Sequence, residues 1–87
     1  MSADQEGGAR LAELQQALER AIERQIVQRT WGRIQELDVE VTDNQVIVRG
    51  RVPSYYLEQL ALRGVLDVIE PAGAMRIELN IQVGQPS

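Results

Sequence analysis

The chain of 87 residues contains no cysteine and no histidine. Without cysteine there is neither a disulfide framework nor a thiolate for nucleophilic catalysis or metal binding. Without histidine the commonest general base and the commonest metal ligand are missing too. Lysine is also absent, so every basic side chain is an arginine, a bias that codon composition alone can produce. No stretch approaches the roughly 20 apolar residues of a membrane-spanning helix. Met1–Arg10 is polar and lacks the apolar segment of a secretory leader. The expected address is cytoplasmic for a whole protein, and envelope or periplasm for a domain excised from a longer one. The net charge of −4 speaks against nucleic acid as a partner, because phosphate contacts need a basic face. There is no GxGxxG, Walker loop or metal-ligand cluster, so no cofactor or metal is expected. Gly32-Arg33-Ile34-Gln35 lacks the second glycine and the basic surround of an RNA-clamping GXXG loop.

What is present suffices for one small domain. A chain of this size buries roughly 60–65% of its unfolded surface, enough for a thin two-layer core. Leu37 to Ser54 carries the clearest pattern. Leu37, Val39 and Val41, then Val46, Val48 and Val52, alternate with polar residues, the period of half-buried strands. Asp43-Asn44 supplies the turn, since both residues tolerate left-handed backbone. A two-residue loop there pairs Val41 with Val46 and Val39 with Val48, so register and pattern agree.

Before the hairpin, Leu11, Leu14, Leu18, Ala21, Ile22 and Ile26 recur at helical spacing from Ala9 onward, and the stripe then drifts to Val27, Trp31 and Ile34. Gly32 is the expected left-handed cap after Trp31, with Arg29 and Arg33 at the negative pole of the helix. After the hairpin, Ser54 is the expected N-cap of a second helix running to about Ile69, before Pro71. Leu57, Leu60, Ala61, Gly64 and Val68 form its inner stripe. Met75 to Val83 alternates again, with Met75, Ile77, Leu79, Ile81 and Val83 inward. The expected fold is α+β, a small two-layer sandwich in α-β-β-α-β order with two helices on one face of a three-stranded sheet. The expected bounds are 1–8 tail, 9–84 domain and 85–87 tail.

This order and its residues resemble the BON domain, a family named for bacterial osmotic-shock and nodulation proteins. Val39 and Val41 match its first strand, Val46, Val48, Gly50 and Val52 its second, Ser54 the cap and Ala61 the small residue of the second helix. The usual Gly-Val step before the last strand is replaced by Ala72-Gly73-Ala74-Met75. The resemblance implies a non-enzymatic module that associates with phospholipid, the envelope or another domain. The same order is similar to that of ring-building modules of secretion systems, which implies homo-oligomerisation instead.

No catalytic residue is expected. Asp38 and Glu40 fall on the exposed face of a strand, where Asp38 faces Arg49 in a cross-strand pair. Arg49, Arg51 and Arg76 share the outward face if the third strand pairs with the second. They either receive anionic headgroups or are neutralised by Asp38, Glu40 and Glu78. Trp31, with Arg29 and Arg33 beside it, either sits at a membrane interface or closes the edge of the core. Of Tyr55 and Tyr56, one is expected to pack and one to show. Gly50 is expected to let a helix approach the sheet. Leu11, Leu14 and Leu18 are the candidate self-association stripe: a helix from Ala9 to Trp31 reaches roughly 35 Å, whereas strands of about six residues span roughly 20 Å. The overhang either frays or docks on a second copy, giving a homodimer.

Overall fold

The computed structural model describes residues 3–73 and 75–84. Its elements follow the expected order: α1 (Ala3–Arg29), β1 (Gln35–Val41), β2 (Gln45–Val52), α2 (Tyr55–Ala72) and β3 (Arg76–Val83). The sheet order is β1-β2-β3, with β1 and β2 antiparallel and β2 and β3 parallel, so β2-α2-β3 is a crossover unit. The parts of the tails at 1–2 and 85–87, and Ala74 in the departing loop, lie outside the described residues.

The hairpin register is the one the valines demand, Val39 opposite Val48 and Val41 opposite Val46. The Thr42 N–H donates to the Gln45 carbonyl at 2.9 Å, which closes the two-residue loop at Asp43-Asn44. Neither loop residue takes the left-handed backbone foreseen for them; among the described residues the positive-φ positions outside glycine are Trp31 and Glu36. Glu36, at φ 55°, belongs to a bulge between Gln35 and Asp38, where the β1 register slips by one residue.

The core is a layer of valines from β1 and β2 under Ile22 and Ile26 of α1 and Ala61, Val65 and Ile69 of α2. The stripe of α2 is therefore centred on Val65, with Leu60 and Val68 at its flank rather than its middle. Gly64 is where the helices meet: a Cβ there would stand 3.0 Å from the backbone of Gln25 and Ile26. Gly50 has a different neighbour from the one expected. A Cβ on it would meet the Ile34 side chain at 3.0 Å and the Gln35 carbonyl at 3.4 Å. Its missing side chain makes room for the α1–β1 connection, not for a helix.

Three helix boundaries differ from the sequence reading. The first helix begins at Ala3 rather than Ala9, because Gly7-Gly8 interrupts the apolar spacing without interrupting the helix. At its other end the Gly32 N–H donates to the Val27 carbonyl at 2.8 Å and the Trp31 N–H to the Gln28 carbonyl at 3.4 Å. That is the paired-bond cap in which the residue before the last adopts left-handed backbone. Trp31, at φ 54°, occupies that position, and Gly32 follows it at φ 73°. Thr30 is fully buried there and bonds its hydroxyl to the Ile26 carbonyl at 2.7 Å. The second helix continues through Pro71 to Ala72, since proline's own φ is helical and only one N–H is lost in the last turn. Ser54 caps α2 as expected, its hydroxyl accepting from the Leu57 N–H at 3.3 Å.

Candidate functional site

The domain offers two candidate surfaces at opposite ends of the sheet. The first lies at the hairpin turn. At about 1.5 Å per residue, α1 is roughly 40 Å long, while strands of seven and eight residues span about 25 Å. The molecule accordingly measures 56 × 25 × 19 Å. The Gln15 amide bonds Asp43 in the turn at 3.3 Å, which marks the end of the body. Residues 3–14 project beyond it.

Leu18 still packs against the core, whereas Leu11 is 49% and Leu14 67% exposed. Together with Leu18, Val41 and Met75 they line an open depression of about 460 Å³, closed on its polar side by Thr42 and Asp43. The overhang thus begins one turn earlier than a sheet of six-residue strands implied, and Leu18 belongs to the body rather than to the free stripe.

The second surface lies at the cap of α1. Trp31 is 69% exposed and stands outside the core, so it does not close the core's edge. Val27, one turn earlier, is exposed as well, whereas Ile34, the last residue of the drift, packs against the core. A depression of about 340 Å³ next to this cap is lined by Gly32, Arg33, Gln35, Arg51, Val52, Pro53 and Gly84. Tyr55 and Tyr56 are both exposed, so neither is the packed partner expected of one of them.

Of the five arginines singled out in the sequence, this cap depression gathers Arg33 and Arg51. Arg51 is already 3.4 Å from Glu36. Arg29 bonds Asp67 of α2 through Nε at 2.9 Å, and Arg49 bonds Asp38 at 3.0 Å. Arg76 lies opposite Gln45, at the turn end of the sheet. The outward face of the sheet therefore interleaves Arg49, Arg51 and Arg76 with Glu36, Asp38, Glu40 and Glu78. It is a neutralised face, not a basic platform. Such exposed pairs contribute only about 0.2–1 kcal/mol each.

Three positional roles escaped the sequence reading. Gly64 sets the interhelical distance, but a glycine inside a helical stripe reads the same whether it faces a backbone or solvent. Glu19 accepts the Val41 N–H at 3.0 Å, a bond between residues 22 apart that no local pattern announces. The left-handed backbone at Trp31 contradicts residue preference. Among the described residues no His/Cys/Asp/Glu group could hold a metal ion, and no helix is long and apolar enough to cross a membrane.

No protein-family model, curated protein or solved structure matches this chain. The likeness to BON domains rests on the valine frame, Gly50, Ser54 and Ala61 alone.

Proposed function

We propose that this domain is a non-catalytic association module whose contact is the projecting half of α1, and that its occupant is a second copy. The observation that carries this reading is the exposure of Leu11 and Leu14 on a helix segment with no sheet beneath it. Each such leucine gains about 1.5–3 kcal/mol when covered, and an isolated helical overhang of this length is marginal in water. Leu11, Leu14 and Leu18 follow three-then-four spacing, the seam of an antiparallel helix pair. Ala21, then Gln25 and Gln28, at the following seam positions keep that seam short. The depression beside the stripe offers Val41 and Met75 to the same partner. Sedimentation equilibrium of the wild type and of Leu11→Ser/Leu14→Ser tests it. At micromolar concentration the double variant is expected to stay folded and to lose the α1 contact, so that its mass falls below that of the wild type. Equal masses for both would end this reading.

A second reading keeps the BON-like expectation of lipid association, favoured by Trp31 standing exposed beside Arg33 and the cap depression. With Arg29, Arg49 and Arg51 already paired, about 1 kcal/mol per basic residue leaves weak, salt-sensitive binding. Sedimentation with vesicles containing anionic lipid, against zwitterionic vesicles and against Trp31→Ala, decides it. Binding that ignores lipid charge and Trp31 alike would refute it.

A further inference from the structure

The two edges of the sheet are built differently, and the difference singles out β3. Arg76 donates its N–H to the Asn44 carbonyl and Gly84 its N–H to the Val52 carbonyl, at 2.9 and 3.0 Å. In a parallel ladder such bonds alternate. The even-numbered residues of β3 therefore turn their backbone groups to β2. Ile77, Leu79, Ile81 and Val83 turn theirs to the free edge. The same logic at β1, where Thr42 bonds Gln45, turns the Val41 N–H outward, and there the Glu19 carboxylate occupies it at 3.0 Å. The Glu36 bulge disrupts the rest of that edge. The described strand of β3 has no bulge, proline or inward-pointing charge, the usual devices that blunt an edge. Its inward side chains are only half-buried, and Val83 is 44% exposed although apolar.

We propose that β3 pairs antiparallel with β3 of a second copy about a two-fold axis at Asn80, extending the sheet across both protomers. Side-chain parity and backbone pairing both fix this register. Centred on Asn80, it sets Leu79 opposite Ile81 and Ile77 opposite Val83, so all four free backbone pairs are satisfied. Centred on Leu79, it strands Val83 against Met75, outside the strand. Centred on Glu78, it opposes two carboxylates, which is destabilising. Around Asn80 the outward face is self-complementary, with Glu78 opposite the amide of Gln82 and Asn80 opposite itself. No foreign charge is called for, which is why the occupant is a second copy rather than a charged peptide. The surface is distinct from the leucine stripe of α1.

The chain has no cysteine, so the single variant Asn80→Cys reports on this axis without ambiguity. Asn80 would fall at a non-hydrogen-bonded pair, with Cα atoms about 4.5 Å apart, inside the span a disulfide bridges. At about 10 μM protein, held at an effective concentration in the millimolar range, it is expected to oxidise to a covalent dimer about 100-fold faster than Glu40→Cys on the outward face of β1. The acceleration should survive the added Leu11→Ser/Leu14→Ser substitutions. A complementary pair needs no oxidation: Asn80→Asp and Asn80→Arg should each be monomeric at β3 and associate when mixed. Equal oxidation rates at positions 80 and 40 would overturn the proposal. So would acceleration lost with the leucine substitutions, which would assign the contact to α1, or failure of the charged pair to associate on mixing.

Discussion

The two halves of α1 carry apolar stripes of similar strength and meet opposite fates. Ile22 and Ile26 are fully buried under α2 and over the sheet, while Leu11 and Leu14 stand mostly in solvent. Nothing in the local spacing separates them. What separates them is the length of strand beneath, because a helix advances about 1.5 Å per residue and a strand about 3.3 Å. A sheet of this size can cover only about half of such a helix. An apolar stripe thus reports that a surface wants cover, not that the fold supplies it.

Substitutions along and around α1 put that contrast to the test. The largest effect is expected in the covered half: Ile26→Ala should cost about 2–5 kcal/mol in urea unfolding, from lost burial plus a cavity that the close-packed sheet cannot fill. A wild-type midpoint would mean that this half is not the core. Next comes the contact that holds the covered half in place. Gly64→Ala gains about 1 kcal/mol of helix propensity but drives a methyl into the α1 backbone, and such overpacking costs about 1–3 kcal/mol. A net loss is expected, and a gain would show the helices able to separate freely. At the cap, Trp31→Gly should raise stability by about 1 kcal/mol, since left-handed backbone costs a residue with a Cβ about 1–2 kcal/mol and the exposed ring offers little packing in return. A destabilised variant would reveal contacts that the exposure of Trp31 does not suggest. The smallest effect belongs to the uncovered half. Leu14→Ala at sub-micromolar concentration should shift unfolding by no more than about 0.5 kcal/mol, its consequence appearing instead as lost association at higher concentration.

The hairpin was the most legible part of the sequence, because alternation, turn length and the Asp38–Arg49 pairing each constrain the same register. The N-cap at Ser54 was legible for the same reason, a local hydroxyl serving a local N–H. The overhang of Leu11 and Leu14 followed from arithmetic on rise per residue. Gly32 was assigned the left-handed cap by residue preference, yet the chain places Trp31 there, one residue earlier, where burying Thr30 and seating Ile34 beside Gly50 determine the geometry. The roles of Gly50 and Gly64 were illegible in detail, since each depends on which backbone or side chain arrives from elsewhere. The basic cluster dissolved for a similar reason. Arg29 found Asp67 across the helix interface, a residue 38 positions away, and a charge count along one helix cannot foresee that.

The Glu19–Val41 bond has a consequence for how far assembly runs. A sheet with two open edges polymerises, each addition leaving a fresh template, and its end state is a fibril. Here the Val41 N–H of one edge is stoppered by a carboxylate from the chain's own helix, so growth of the sheet itself through the proposed β3 pairing would end after a single addition. On that proposal Glu19 keeps the paired sheet from becoming a cross-β template.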